Sequence, residues 1–131
     1  MKIIQNSGGF TLIELVIVIV LIGTFATIAL PRYANLSSKA KVSASKAALG
    51  TIRSAIMLTY SSRMAMQEAP AVPTSVFPSM FQDSQVPVEP QSSSNSVTFV
   101  GSENEIGDGS GWAYDSVNGR AWINNSQFTD Y

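Results

Sequence analysis

The stretch Phe10–Leu30, FTLIELVIVIVLIGTFATIAL, decides the fold because its 21 residues carry a single charge, that of Glu14. A helix of this length spans ~31 Å, which matches the ~30 Å hydrocarbon core of a bilayer. A secretory signal peptide fits less well, since its apolar region usually has about 7–15 residues and precedes an Ala-x-Ala site. A buried core helix also fits less well, because the rest of the chain is too short to enclose it. The stretch therefore predicts a membrane-spanning helix.

Glu14 is the anomaly in this apolar stretch. An ionised carboxylate costs roughly 2.5–3.5 kcal/mol at the middle of a bilayer and less near its surface. One interpretation places Glu14 near the headgroups, where a helix N-terminus favours negative charge. The other is that Glu14 awaits a cationic partner. No Lys or Arg lies between Lys2 and Arg32, so that partner has to come from elsewhere.

The composition of the whole chain argues against an enzyme and against a nucleic-acid-binding protein. Charged residues make up 13% of the 131 residues, about half the ~25% that is usual, so part of the chain is not expected to face water. The absence of cysteine and histidine excludes disulfides and thiolate sites, and it removes the commonest general base. The net charge of −1 gives no reason to expect nucleic acid.

Beyond Pro31 the sequence predicts more helix, with an apolar stripe formed by Leu49, Ile52, Ile56 and Tyr60. Two prolines, Pro70 and Pro73, predict that the helix ends near Glu68. A helix running from Phe10 to Met66 would be ~86 Å long, whereas a compact domain of this size has a radius of gyration of only ~14 Å. Part of the helix is therefore expected to project and to need other chains around it.

Residues 68–131 predict a loop-rich head with a small antiparallel sheet. Val97–Val100 is typical of a strand, and Trp112–Asp115 with Arg120–Ile123 is typical of a β-hairpin. A loop from Asp115 to Gly119 would pair Trp112 with Trp122, whereas a tight Asn118-Gly119 turn would shift that register. The head aromatics are expected to cover the helical stripe as core.

Charge is divided along the chain. Residues 10–67 hold six bases and one acid, a net charge of +5, while residues 68–131 hold one base and eight acids, a net charge of −7. The two parts are either separately solvated or matched between one chain and its neighbour, although salt screens exposed pairs strongly.

The run Gly9-Phe10-Thr11-Leu12-Ile13-Glu14-Leu15, followed by an apolar helix and Pro31, closely resembles the signal of type IV pilins and type II secretion pseudopilins. In that superfamily a membrane-embedded prepilin peptidase cuts after the glycine and methylates the new amino group. The resemblance implies cleavage between Gly9 and Phe10, N-methylation of Phe10, and a role for Glu14 in inter-subunit assembly. It also implies an α+β pilin-like fold, in which a long N-terminal helix, half transmembrane and half amphipathic, carries a small antiparallel β-sheet head.

The resemblance divides the chain into a leader peptide (1–9), a transmembrane and filament-core helix (10–30), an amphipathic helix (31–67) and the head (68–131). Gly23 and Pro31 mark a helix break. It is either a kink at the membrane surface or the sign of a segment, Gly23–Leu30, that unwinds in the packed filament.

The same resemblance implies the partners and the location. The chain is expected to form a helical homopolymer, after contact with the prepilin peptidase, the inner-membrane assembly platform and the lipid bilayer. The precursor would be a single-pass inner-membrane protein, and the product a periplasmic or cell-surface filament. No nucleic acid and no cofactor is expected, with calcium as the one candidate.

The calcium candidate depends on four acids in the head. Some major pseudopilins bind calcium in their C-terminal loop, and carboxylate oxygens suit Ca²⁺. The spacing does not match an EF-hand, and acids are ordinary in exposed loops. The candidate ligands are Glu103, Glu105, Asp108 and Asp115.

The absence of cysteine departs from classical type IV pilins, whose C-terminal loop is usually closed by a disulfide. A major pseudopilin of a type II secretion system is therefore an alternative to a pilus subunit. A membrane-anchored adhesin or calcium-binding module is an alternative from another class, although it would need neither Glu14 nor the Gly9-Phe10 junction.

Overall fold

The computed structural model describes residues 9–128. Its main elements are helix α1 (Leu12–Ala65) and strands β1 (Val97–Phe99), β2 (Trp112–Asp115) and β3 (Arg120–Ile123), with short 3-10 turns at Pro78–Met80, Glu103–Glu105 and Ser126–Phe128. The chain forms two compact units, Met1–Ser38 and Lys39–Tyr131, and α1 contributes to both. A long N-terminal helix followed by a small sheet confirms the predicted α+β class.

Within the described residues, the N-terminal unit consists of residues 9–11 and the first part of α1. This part of α1 is long and apolar enough to cross a membrane. Its large side chains, such as Leu12, Ile22 and Phe25, are exposed, and none of the buried residues of α1 lies before Ser45. The predicted leader lies outside the described residues except for Gly9.

In the C-terminal unit, α1 packs one face against the sheet. Its buried residues recur every three or four positions, as one helix face requires, and they are Ser45, Leu49, Ile52, Ala55 and Ile56. The sequence predicts Tyr60 in the same stripe, but Tyr60 is 37% exposed. Tyr60 instead lines an open cleft together with residues of the hairpin, among them Val117 and Ala121.

The sheet has the order β1-β2-β3, with β1 parallel to β2 and β3 antiparallel to it. The antiparallel prediction is right for the hairpin and wrong for β1. The connection between β1 and β2 crosses back over the sheet, where Ile106 packs with Ala113 and Trp122 in a second small cluster. Because α1 covers one face and this connection covers the other, β2 is buried on both faces.

The hairpin takes neither of the two registers that the sequence predicts. Trp112 pairs with Ile123 rather than with Trp122, because the loop has four residues, Ser116–Gly119, and not the five that begin at Asp115. A shift of one residue turns a side chain to the other face of a sheet. Trp112 accordingly lies in the core with α1, while Trp122 lies in the second cluster.

α1 ends at Ala65, three residues before the predicted end at Glu68. The end is a Schellman-type cap, in which Gln67 takes the left-handed conformation with φ of 56°. The amide of Gln67 donates to the carbonyl of Met64 at 3.2 Å, and the amide of Glu68 donates to that of Arg63 at 3.0 Å.

Candidate functional site

Thr11 and Glu14 close the N-terminus of α1 as a capping box. The Glu14 carboxylate accepts hydrogen bonds from the Thr11 amide at 2.8 Å and from the Thr11 hydroxyl at 2.7 Å. In return, the Glu14 amide donates to the Thr11 hydroxyl at 3.3 Å. The first amides of a helix have no hydrogen-bond partner within the helix, and this capping box supplies a partner for two of them, those of Thr11 and Glu14.

The Gly9-Phe10 bond lies just outside this cap. Neither residue is helical, and both are exposed, the Phe10 side chain by 83%. A Cβ atom added at Gly9 would meet nothing within 4 Å. The packing of the chain itself therefore does not require glycine here, and any need for glycine comes from what binds this bond.

Glu14 is exposed in the isolated chain, and its described hydrogen bonds all go to Thr11. These donors are neutral, so they orient the carboxylate without cancelling its charge. The geometry leaves Glu14 fixed at the start of an apolar helix and open to a cation from outside.

Gly23 and Pro31 do not break α1, which is continuous through both residues. Proline removes one i to i−4 hydrogen bond, here the one that the Thr27 carbonyl would accept, while the turns on either side keep theirs. Near Gly23, the hydroxyl of Thr24 donates to the Leu21 carbonyl at 2.8 Å. The helix is thus not interrupted in the isolated chain, while a kink at Pro31 and unwinding of Gly23–Leu30 in a filament both stay predictions.

The structure separates the four candidate calcium ligands and gives three of them, Glu105, Asp108 and Asp115, partners of their own. The Glu105 carboxylate accepts from the Gly101 amide at 2.8 Å, and the Asp108 carboxylate accepts from the Ser126 hydroxyl at 2.5 Å. Glu103 lines a cleft elsewhere, beside Arg120. Within residues 9–128, no three acidic side chains are grouped so that they could hold a metal ion. Calcium binding stays a prediction.

Asp115 orders the hairpin loop. Its carboxylate accepts from the Asn118 side chain at 2.7 Å and from the amides of Val117 and Asn118 at 2.8 and 3.2 Å. The Asn118 side chain is the main cause that lowers the pKa of Asp115. The two amides and nearby Arg120 add to this effect, while burial opposes it. Asp115 therefore has a structural role in the turn.

Thr11 is the site residue that the sequence analysis missed. Its signal is present, since Thr-x-x-Glu ahead of an apolar run is the sequence pattern of a capping box. Glu89 was missed as well, although it is 1% exposed and accepts four hydrogen bonds. No local pattern marks it, because an acid in a Pro- and Ser-rich stretch is ordinarily solvated.

Residues 4–30 match the family motif described as the prokaryotic N-terminal methylation motif. The chain is 46% identical over 56 residues to the type IV major fimbrial protein FimA of Dichelobacter nodosus, a match that covers 43% of this chain and 35% of that protein. It is 39% identical over 70 residues to the type IV narrow pilus major component PilA5 of Thermus thermophilus, a match that covers 53% of this chain and 55% of that protein. No solved structure matches the chain.

The matched motif and the apolar helix that it opens define a protein with an N-terminal methylation signal. In its N-terminal part the chain is similar to type IV pilins, which are a structural family and not a family of enzymes. The chain spans about a third of the length of its fimbrial relative and about half that of the pilus component.

Proposed function

We propose that this protein is the structural subunit of a type IV pilus-like filament. In this proposal, prepilin peptidase cuts the precursor between Gly9 and Phe10 and methylates Phe10. The subunit then leaves the bilayer through the assembly platform of the inner membrane. The observation that carries the proposal is an exposed Gly9-Phe10 bond directly before a capped, apolar helix that holds the Glu14 carboxylate outward.

Cleavage would act as a switch because it creates a charge. The new α-amine at Phe10 has a reference pKa near 8, so it is largely cationic at neutral pH. The amine of an incoming subunit is the cation that Glu14 of a subunit already in the filament lacks. A buried ion pair is not automatically stabilising, but an unpaired buried carboxylate is costly. The pair would therefore set the register in which neighbouring helices pack.

The test is the variant Glu14→Ala, with Thr11→Ala as the matched control. Glu14→Ala should insert into the membrane and be processed, yet yield few or no filaments in sheared material viewed by electron microscopy. Thr11→Ala removes the same cap, at a cost of about 1 kcal/mol, but keeps the carboxylate and should still assemble. A normal filament yield from Glu14→Ala would refute the proposal.

A pseudopilus subunit of a type II secretion system is the alternative member of the same class, favoured by the absence of cysteine. The names of the matched relatives support a pilus subunit instead. Filaments on the cell surface of a strain at native expression would favour the pilus, and short periplasmic filaments would favour the pseudopilus. The acidic head, with its net charge of −7 over residues 68–131, speaks against nucleic acid as a partner.

A further inference from the structure

The hairpin loop between β2 and β3 contains the one Asn-Gly pair among the 131 residues, Asn118-Gly119. Asn118 is exposed, and Gly119 has φ of +69°. The side-chain amide of an asparagine can be attacked by the backbone nitrogen of the residue that follows it. Glycine permits this attack best, because it has no Cβ atom to obstruct the approach and moves freely about its backbone bonds. The pair is therefore a candidate site of covalent modification.

The reaction is deamidation, and its one co-reactant is water. The Gly119 nitrogen gives up its proton and forms a bond to Cγ of Asn118, while the bond from Cγ to Nδ2 breaks and ammonia leaves with that proton. The intermediate is a five-membered succinimide ring. Water then opens the ring at either of its two carbonyl carbons and leaves aspartate or isoaspartate at position 118.

In the folded hairpin, Asp115 holds both of the reacting groups. Nδ2 of Asn118 donates to the Asp115 carboxylate at 2.7 Å, and the Gly119 amide donates to the backbone carbonyl of Asp115 at 2.8 Å. The Asn118 amide also donates to the carboxylate, at 3.2 Å. Ring formation requires the Asn118 side chain to leave the carboxylate and the Gly119 amide to leave the carbonyl. The hydrogen bonds that shape the loop therefore oppose the reaction.

We infer that Asn118 is a deamidation site and that Asp115 protects it while the hairpin is closed. The modification accumulates with the time that the loop spends open, above all in unfolded chains. It also keeps the loop open once it has occurred, because a carboxylate at position 118 cannot donate to Asp115 and places a second negative charge beside it. The inference concerns the head alone and does not depend on the proposed filament.

The first experiment follows deamidation in the full-length chain in detergent, at mildly alkaline pH, by mass spectrometry of peptides. Asn118 of the folded chain should react at least about tenfold more slowly than Asn118 of the chain unfolded in urea, since hydrogen bonds to a charged group suffice for such a factor. Asn95, which is also exposed but precedes a serine, is the internal control and should react far more slowly than Asn118 in urea.

Two outcomes of this experiment would overturn the inference. Equal rates for Asn118 in the folded and the unfolded chain would show that the closed hairpin gives no protection. A rate in urea no higher than that of Asn95 would show that the Asn-Gly pair is not a modification site.

The second experiment isolates the part played by Asp115. Asp115→Ser keeps a side-chain oxygen for the loop amides but releases the Asn118 side chain, so its folded form should deamidate about tenfold faster than the folded wild type. In urea the two proteins should react equally fast, because no turn is left. An Asp115→Ser rate equal to that of the wild type in the folded state would refute the protection by Asp115.

Glu89→Gln is the matched control for Asp115→Ser. It weakens the same unit through a carboxylate that holds residues 89–94, and it leaves the bonds between Asp115 and Asn118 in place. Its rate of deamidation should stay that of the wild type, with tryptophan fluorescence to verify that both variants are folded. A rate as high as that of Asp115→Ser would show that general loosening, and not the loss of the Asp115 bonds, exposes Asn118.

The third experiment measures what the modification does to the fold. Asn118→Asp introduces the carboxylate of the product beside Asp115 and should lower the unfolding temperature by about 5 °C. Asn95→Asp adds the same charge at an exposed position outside the hairpin and should leave it within about 2 °C of the wild type. An unchanged unfolding temperature for Asn118→Asp would contradict the claim that the modified loop stays open.

Discussion

Three carboxylates of this chain, those of Glu14, Glu89 and Asp115, are held mainly by hydrogen bonds from neutral groups. Their positions explain their different roles. Glu14 lies exposed in an apolar helix and keeps an unbalanced charge. Glu89 is buried and joins the loop at residues 89–94 to α1 through the Ser45 hydroxyl, 2.5 Å away. Asp115 shapes the hairpin loop.

At the residue scale, we expect Glu89→Gln to destabilise the C-terminal unit by about 1–3 kcal/mol. The amide nitrogen that replaces one carboxylate oxygen cannot accept the hydrogen bonds which that oxygen now receives. Denaturant unfolding followed by tryptophan fluorescence measures this, because both tryptophans lie in the packed clusters. Glu68→Gln, at an exposed position, is the control and should change the stability little. Equal stabilities for the two variants would contradict this account of Glu89.

A second expectation at the same scale concerns Gly9. Gly9→Val should block processing because a branched side chain would occupy the peptidase site. The fold should be unaffected, since a Cβ there meets nothing within 4 Å. Mass spectrometry of the membrane fraction should find the uncut chain, with unchanged tryptophan fluorescence. A mature chain that begins at Phe10 in this variant would contradict the prediction.

At the scale of the elements, close approach of backbone segments decides where the strands begin. Gly111 precedes β2 with φ of +78°, and the Trp112 amide donates to the Ser96 carbonyl at 2.8 Å. A Cβ atom at Gly111 would lie 2.2 Å from that same carbonyl oxygen. Only glycine lets the two segments come this close.

We therefore expect Gly111→Ala to cost at least about 2 kcal/mol of stability. Gly107→Ala is the matched control, because a Cβ there meets nothing within 4 Å and the residue is not in the left-handed region. The control should be within about 0.5 kcal/mol of the wild type. The comparison uses the same fluorescence-detected unfolding curves, and a neutral Gly111→Ala would show that the Ser96 segment moves freely.

At the scale of the whole molecule, pH links the buried carboxylates to the stability of the C-terminal unit. Burial raises the pKa of Glu89, but hydrogen bonds from Ser45, Gln91 and Ser92 outweigh it and lower the pKa overall. The pKa of Asp115 is lowered as well. A carboxyl whose pKa is lowered by folding stabilises the folded state fully when the pH is above its pKa in the unfolded chain, which is near 4. This stabilisation is lost as the pH falls through the pKa of the carboxyl in the folded state.

The unfolding temperature of the wild type should accordingly be level from about pH 5 to 8 and fall below about pH 4. Glu89→Gln should be less stable at neutral pH and should lose less on acidification, since one of the responsible groups is gone. Thermal unfolding in a pH series measures both effects. If the unfolding temperature falls equally steeply below about pH 4 in the wild type and in Glu89→Gln, Glu89 does not contribute to the acid sensitivity.

The apolar helix, its signal and the hairpin strands were predictable because their determinants are local. Each depends on a short stretch of sequence. These stretches are the length of the apolar run, the spacing from Gly9 to Glu14, and the alternation of apolar residues around Trp112 and Trp122. The sequence predicted helix on both sides of Pro31 but left open whether the helix breaks there, because the hydrogen bonds of the turns on either side decide whether it continues.

The sequence by itself determined the likeness to type IV pilins, the position of the long apolar helix and the existence of a small sheet, since each follows from a periodic or local pattern. Only the tertiary structure decided that β1 runs parallel to β2, that the two tryptophans face opposite sides, and that Glu89 is buried. These features depend on contacts between residues far apart in the chain. They are set by which backbone segments can approach and which faces are covered, and no local pattern carries that information.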